Sequence, residues 1–203
     1  GNSTKTLTGA VTIGVAGTGV LNLNSGILEL DGFNLTFLNT AVTPFTGVFS
    51  STNMISTSGA GYLQRNGSLA AHYQITYPVG SGGYYTPMTI TSIAAAFPTY
   101  IRVKAVPSAI NPSYINKYWD VQSNIALTNV TATFNYDPAE LGSASFSVSY
   151  SPNAGTSWQN PPVSGAPSYG LNSFTITGNS PFTGSGAPFN GWWTMGYRTY
   201  YSY

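Results

Sequence analysis

Apolar and polar side chains alternate with a period of two through most of the second half of this chain. In the segment YIRVKAV, Ile101, Val103 and Ala105 fall on one face, and Arg102 and Lys104 fall on the other. Successive side chains of a strand point to opposite faces, so this pattern predicts half-buried antiparallel strands. The predicted strands are 73–80, 87–93, 100–106, 116–122, 130–136, 143–150, 173–178 and 191–203. Strands at this spacing, linked by loops rich in Pro and Gly, predict an antiparallel β-sandwich over residues 66–203.

Two segments of this half carry more specific predictions. In segment 143–150, Ala144, Phe146, Val148 and Tyr150 share the predicted buried face, and serines occupy the exposed face. Helical periodicity is nearly absent, and the best helix candidate is SIAAAFP at 92–98, with at most one or two turns. The fold class is therefore predicted to be all-β.

A shorter repeat marks the first part of the chain. The pattern Leu-x-Leu begins at Leu21 and again at Leu28, and Leu35-x-Phe follows at the same spacing, with Gly26 and Gly32 in the connections. This spacing is typical of stacked β-arcs in a β-solenoid (a β-helix or β-roll), where three such sides make one rung. A meander of short hairpins is the alternative. We predict a Gly-rich β-repeat region over 1–65 and the β-sandwich over 66–203, either as two domains or as one continuous unit.

Charge is scarce, and this limits the possible partners. Six basic and five acidic residues occur among 203, for a net charge of +1. This is too weak a field to attract nucleic acid or an anionic membrane, and no apolar run is long enough to span a bilayer. Globular proteins carry about 25% charged residues, against 5% here. The low charge favours an extracellular or cell-surface location, and a first residue other than Met suggests a processed or excised segment.

Candidate catalytic and metal-binding residues are few. His72 is the sole histidine, no cysteine occurs, and no G-x-S-x-G motif is present. A zinc site needs several Cys or His ligands, and a Ser-His-Asp triad would have to use His72. Glu29 and Asp31 are better explained as an outward strand residue and a turn residue than as a glycosidase pair. We predict no catalytic residue, no cofactor and no metal site.

Two minor possibilities involve the remaining charges. Asp137 and Glu140 resemble a turn after a strand, and such oxygen ligands could also form a weak calcium site. Some surface proteins tie a sandwich together with a Lys–Asn bond promoted by a buried acid. Lys104 or Lys117 with Asp120 could do so, although their spacing does not single them out.

Several phrases of the chain resemble a known family. They are LNLNSGILELDGFNLT at 21–36, GAGYLQRNG at 59–67, YPVGSGGYYTPMTITSI at 77–93, KYWDV at 117–121 and VTATFNYDPAEL at 130–141. Together they resemble secreted Bacteroidetes cell-surface proteins in which a Gly-rich β-repeat leads into a β-sandwich. The resemblance implies export by the type IX route, a cell-surface or extracellular location and often adhesion. It implies no active-site residue.

We expect a non-enzymatic structural protein, the subunit of a cell-surface filament or adhesive layer. Sparse charge leaves edge strands unprotected, so copies could join by β-strand addition into a homo-oligomer or homopolymer. Either terminal segment could donate a strand to the sheet of a neighbouring copy, and we prefer the N-terminal segment as donor. The candidate subunit-interface residues are Val11, Ile13, Val15, Val20, Tyr200, Tyr201 and Tyr203.

The leading alternative is a carbohydrate-binding module or lectin-like adhesin. Exposed aromatic rings stack on sugars, and the glycan-stacking candidates are Trp192, Trp193, Tyr84 and Tyr85. One member of each adjacent pair is expected in the core. A minor alternative is ice binding by a Thr-rich face, although the Thr-x-Thr pairs are not regularly repeated along the chain. N-x-S/T sequons make Asn2, Asn34, Asn66 and Asn129 candidate glycosylation sites.

Overall fold

The structure is a computed structural model that describes residues 3–14, 19–38, 44–66, 75–94, 100–107, 115–124, 128–141, 147–161, 166–177 and 191–196. Its first strands are β1 (Thr4–Thr6), β2 (Val11–Ile13), β3 (Leu21–Asn22), β4 (Gly26–Glu29), β5 (Leu35–Phe37), β6 (Phe45–Thr46), β7 (Asn53–Ser56) and β8 (Leu63–Asn66). The later strands are β9 (Ile75–Tyr77), β10 (Val79–Ser81), β11 (Tyr84–Tyr85), β12 (Met88–Ala94), β13 (Tyr100–Pro107), β14 (Lys117–Ser123), β15 (Thr128–Asn135), β16 (Ser147–Ser151), β17 (Ser168–Tyr169), β18 (Ser173–Thr177) and β19 (Gly191–Gly196). A short 3-10 helix spans Pro138–Glu140. The all-β prediction is confirmed.

The first eight strands pair in parallel, and they lie in three columns. β1, β4, β7 and β10 are neighbours in one sheet, β2, β5 and β8 in a second, and β3 and β6 in a third. We call β1–β3 the first tier, β4–β6 the second and β7–β8 the third. The register pairs Val11 with Leu35 and Leu35 with Leu63, so equivalent positions of successive tiers stack. The hairpin alternative is wrong for these strands, because their ladders with one another are parallel.

Glycines allow the turns of successive tiers to approach closely. A Cβ atom at Gly59 would lie 2.2 Å from the Asp31 carbonyl oxygen, and one at Gly61 would lie 2.1 Å from the Phe33 carbonyl oxygen. The Gly61 N–H donates to the Asp31 carbonyl at 2.7 Å. The third-tier turn therefore lies directly on the second-tier turn, with no space for a side chain between them.

Long antiparallel strands dominate the later part of the chain. One five-stranded sheet has the order β17-β18-β15-β12-β9, and a seven-stranded sheet has the order β16-β19-β14-β13-β8-β5-β2. The alternation predicted for β13 is confirmed, since Ile101, Val103 and Ala105 are fully buried and Arg102 and Lys104 are only half-buried.

Aromatic side chains join the inner faces of these two sheets. The Trp119 ring of the seven-stranded sheet lies 5.3 Å from Phe134 and 5.8 Å from Phe174 of the five-stranded sheet. Phe134 also lies 5.8 Å from Trp193. The Trp119 indole N–H donates to the Thr86 carbonyl at 2.9 Å, which satisfies its buried polar atom. The core is thus shared between the sheets.

β8 belongs to both patterns of pairing. It pairs in parallel with β5 on one side and antiparallel with β13 on the other. The boundary that we drew between residues 65 and 66 falls within this strand. Backbone hydrogen bonding therefore runs without a break from the tiers into the antiparallel part of the seven-stranded sheet.

Three local predictions are wrong. The predicted strand 73–80 is divided at Pro78 into β9 and β10, which belong to different sheets. Residues 92–94 of the proposed helix belong to β12, because their backbone pairs with β15 through Ser92–Thr131 and Ala94–Thr128; residues 95–98 lie outside the described residues. Ser149 and Ser151 of β16 are buried instead of exposed. The loop that follows β16 is hydrogen-bonded to the serine face of this strand, since the Gly155 N–H donates to Ser151 Oγ at 2.8 Å. Residues 143–146 lie outside the described residues.

Candidate functional site

The first candidate site is the open end of the parallel tiers. β1, β2 and β3 are each the outermost strand of their sheet within the described residues. β1 is exposed throughout, and β2 is exposed at Val11 and Thr12. Lys5 is the one charged residue in sequence 3–22. Charged side chains commonly prevent a further strand from pairing with an edge, so this end has little such protection.

The hydrogen bonds of β2 show which of its backbone groups face outward. The Val11 N–H donates to the Asn34 carbonyl at 3.1 Å, and the Ile13 carbonyl accepts from the Leu38 N–H at 3.0 Å. In a parallel ladder, alternate residues direct their backbone groups to the same neighbour. The N–H and C=O groups of Thr12 therefore point away from β5, toward the outer edge.

Apolar side chains accompany this edge. Val11 is 36% exposed and Val20 is 51% exposed. Ile13 is half-buried and packs against the main core, so it is only partly available to a partner. The other predicted interface residues, Val15, Tyr200, Tyr201 and Tyr203, lie outside the described residues.

A second candidate is a buried pair of opposite charges. Lys117 Nζ lies 2.7 Å from Glu140 Oε1, and the two side chains are 0% and 3% exposed. The Lys117 ammonium also donates to the Ser81 carbonyl at 3.3 Å. A cavity of about 160 Å³ adjoins the pair. It is lined by Ser81, Gly82, Tyr84, Pro107, Asn116, Ala139 and Glu140.

The environment of this pair disfavours both charges. Burial lowers the pKa of Lys117, and the nearby Glu140 carboxylate opposes that shift. Burial raises the pKa of Glu140, and the Lys117 ammonium opposes that shift. From the sequence, Lys117 was considered as a possible partner of Asp120. Those two residues lie an odd number of positions apart on β14 and point to opposite faces. The sequence pattern Asp137-x-x-Glu140 is typical of a capping box, and it could have predicted the turn that places Glu140 beside Lys117.

Polar side chains form a network on the outer face of the seven-stranded sheet. Arg102 Cζ lies 4.5 Å and Lys104 Nζ lies 4.6 Å from the centre of the Tyr62 ring. The Tyr62 hydroxyl donates to Asp120 Oδ2 at 2.5 Å and accepts from Gln122 Nε2 at 3.0 Å. Burial and the bond to Asp120 raise the pKa of Tyr62. Asp120 therefore accepts a hydrogen bond from Tyr62 on the outer face of the sheet, on the side opposite to Lys117.

The predicted glycan-stacking residues are engaged in packing. Trp193 is fully buried, so its ring faces are inaccessible to a ligand. Trp192 stacks on Tyr118 at 4.0 Å, and a Cβ atom added at Gly155 would lie 2.5 Å from its ring. Tyr84 and Tyr85 are half-buried, and Tyr85 stacks on Phe49 at 6.3 Å. As expected for neighbours on a strand, one tryptophan of the pair belongs to the core.

Threonines line up across the outer face of the five-stranded sheet. The register places Thr76, Thr89, Thr133 and Thr175 in one row, and Ser168 continues it. The hydroxyls of Thr76 and Thr89 are 2.9 Å apart, and those of Thr133 and Thr175 are 2.8 Å apart. A second row pairs Thr131 with Thr177. The Thr-x-Thr pairs show no regular repeat along the sequence, because their alignment depends on the register between strands that are distant in sequence.

The remaining candidates have the following positions. Asn34 and Asn66 are half-buried, and their Oδ1 atoms accept hydrogen bonds from the Tyr62 N–H and from Gln64 Nε2. Asn2 and His72 lie outside the described residues, as does the side chain of Asn129. In the part of the chain that the structure describes, no three His, Cys, Asp or Glu side chains are grouped to hold a metal ion. The described residues also include no helix of the length and apolarity that a membrane span requires.

Comparison of the chain with protein-family models, curated proteins and solved structures gives no significant match. The resemblance to secreted Bacteroidetes surface proteins therefore stays a prediction.

Proposed function

We propose that this protein is a non-enzymatic extracellular structural protein, the subunit of a cell-surface filament or adhesive layer. Copies associate when a strand of a second copy pairs with the first tier. The observation that carries this proposal is the edge of β2 that has no partner strand among the described residues, where the Thr12 backbone groups point outward between exposed Val11 and half-buried Ile13. We also infer that the tiers form a short β-solenoid and that the later sheets form a β-sandwich.

The parallel tiers support this mode of association. Each of the first two tiers adds one strand to each column, so a strand that enters beside β2 continues a ladder already present between β2 and β5. Backbone hydrogen bonds provide continuity, and burial of Val11 and Val20 provides affinity, at about 25 cal/mol per Å² of apolar surface. A head-to-tail contact between unlike surfaces produces a filament where its rotation does not close into a ring.

The test is a proline substitution that removes only an outward donor. Thr12→Pro deletes the outward N–H and leaves the inward bonds of Val11 and Ile13 in place; proline is tolerated on an edge strand. Thr12→Val is the matched control, because it keeps the N–H and a β-branched side chain. We expect wild type and Thr12→Val to form oligomers or filaments in sedimentation velocity and electron microscopy, and Thr12→Pro to remain monomeric.

Two outcomes contradict the proposal. If the wild-type protein stays monomeric at high concentration, the proposal of strand addition between copies is wrong. Filaments that persist in Thr12→Pro, with unchanged circular dichroism, show that β2 is not the accepting edge.

The threonine rows favour a second candidate function, the binding of ice. Strands lie about 4.8 Å apart, and alternate residues on one strand lie about 6.7 Å apart. A row of hydroxyls at such spacings presents a repeated pattern to ordered water. The row Thr76, Thr89, Thr133 and Thr175 crosses four adjacent strands on one outer face.

Inhibition of ice recrystallisation tests this candidate. Thr133→Tyr places a bulky ring in the middle of the row, and Thr12→Tyr is the control at an exposed strand position away from it. Loss of inhibition in Thr133→Tyr but not in Thr12→Tyr supports ice binding by the threonine row. If the wild-type protein does not inhibit recrystallisation, this function is wrong.

A further inference from the structure

Lys117 and Glu140 place an amine against a carboxyl group in the protein interior, and strand addition uses neither. Their 2.7 Å separation is the distance between Nζ and Oε1, with both side chains almost fully buried. Burial acts on both pKa values in the direction of the uncharged forms. An uncharged amine is a nucleophile, and a protonated carboxyl group carries a hydroxyl that can leave as water.

The surrounding hydrogen bonds hold both groups in place. The Lys117 carbonyl accepts from Thr194 Oγ1 at 2.7 Å, and Nζ donates to the Ser81 carbonyl at 3.3 Å. Glu140 Oε2 accepts from the Asp137 N–H at 3.3 Å, within the capping box of the 3-10 helix. Fixed orientation replaces the entropy that an encounter between free reactants would cost. The Asp137 N–H also faces an oxygen on which negative charge grows as the carboxyl carbon is attacked.

We propose that Lys117 and Glu140 join through an intramolecular amide bond. Lys117 Nζ attacks Glu140 Cδ, a C–N bond forms, and a C–O bond of the carboxyl group breaks. One hydrogen of the neutral amine stays on the amide nitrogen. The other leaves with the carboxyl hydroxyl as one molecule of water, so no oxidant or reductant is needed. The adjoining cavity, which Glu140 lines, gives that water a route out.

This bond would tie the two antiparallel sheets together. Lys117 begins β14 of the seven-stranded sheet, and Glu140 follows β15 of the five-stranded sheet. The chain contains no cysteine. An amide at this position constrains the unfolded chain as a disulfide does in other extracellular proteins, and it does not depend on an oxidising compartment.

Intact-mass spectrometry of the purified full chain tests the proposal directly. Wild type should be lighter than its calculated mass by one water molecule. Lys117→Arg and Glu140→Ala remove one reacting group each and should have their calculated masses. Lys104→Arg is the matched control, because it changes another lysine that contacts an aromatic ring, and it should keep the loss of one water. The wild-type mass decides the question even where a variant does not fold.

Digestion with trypsin locates the bond. Trypsin does not cleave after a lysine whose amine is acylated, so cleavage should occur after Lys104 and fail after Lys117. A wild-type protein at its calculated mass, or one cleaved after Lys117 as readily as after Lys104, overturns the proposal. So does a loss of water that persists in Lys117→Arg. The mass and the digestion pattern do not depend on assembly. The amide bond can therefore be absent while strand addition is correct, and strand addition can be wrong while the amide bond is present.

Discussion

The parallel tiers and the antiparallel sheets stabilise themselves in different ways. In the tiers, strands of two to four residues pair edge to edge in parallel, and their buried residues, such as Leu35 and Phe37, belong to the main core cluster. In the antiparallel part, strands such as β13 and β15 are eight residues long and face a shared aromatic core. Within the described residues both parts have outermost strands, including β1, β2 and β3 in the tiers and β16 and β17 in the antiparallel part. They differ in that a strand added beside β2 would extend a parallel ladder that already repeats from tier to tier.

The largest expected effect concerns the aromatic core. Phe134→Ala should lower the free energy of unfolding by about 3–5 kcal/mol, because it removes a fully buried ring that contacts Trp119, Phe174 and Trp193. Chemical denaturation followed by fluorescence and by far-ultraviolet circular dichroism measures this change. Leu171→Ala, at a residue that is 92% exposed, is the control and should have almost no effect.

The two optical probes separate the regions. The four tryptophans are Trp119, Trp158, Trp192 and Trp193, so tryptophan fluorescence reports on the antiparallel part and circular dichroism reports on both. Coincident transitions indicate that the regions unfold as one unit through β8. Separate transitions would contradict the cooperative coupling that we expect from its continuous hydrogen bonding.

Alkaline pH should weaken the antiparallel part first. Burial raises the pKa of Tyr118 and of Tyr150 to about 12, from a usual value of 10.0. Above pH 10 the unfolded chain loses tyrosyl protons that the folded protein retains, so stability is complete below that pH and falls toward pH 12. Each tyrosine should contribute a loss of up to roughly 2–3 kcal/mol across this interval. Denaturant titrations at stepped pH values measure it, and a stability that is constant above pH 10 would contradict the burial of these hydroxyls.

A smaller effect is expected in the tiers. Gly61→Ala should lower the free energy of unfolding by about 1–2 kcal/mol, because the new methyl group would meet the Phe33 carbonyl of the tier below. Gly32→Ala is the matched control, since no atom lies within 4 Å of a Cβ added there. Equal effects of the two substitutions in thermal unfolding would show that the turns do not stack as closely as the structure indicates.

The smallest expected effect concerns the threonine row. Thr133→Ala removes a cross-strand hydroxyl pair with Thr175 and should cost about 0.2–1 kcal/mol. A double-mutant cycle with Thr175→Ala measures the coupling between them. Strict additivity of the two substitutions would mean that the pair contributes nothing beyond its separate side chains.

Local patterns in the sequence predicted the longer strands, but they missed β7 and β8 and did not specify which strands pair. The alternation of β13 follows from a period of two, and so does the burial of Trp193 beside half-buried Trp192. The parallel pairing of Val11 with Leu35, the row from Thr76 to Thr175 and the meeting of Lys117 with Glu140 all join residues that are distant in sequence. Each depends on register or on the path of a turn, which no local pattern specifies.

β8 also determines how the molecule would bear a mechanical load. Its backbone is hydrogen-bonded to β5 along one edge and to β13 along the other. Tension that pulls the first tier away from the antiparallel sheets along the strand direction would load these ladders in shear, so their hydrogen bonds would resist together and not one after another. A four-residue strand is therefore one of the joints through which pulling force would pass from one half of the protein to the other, together with the ladder between β7 and β10.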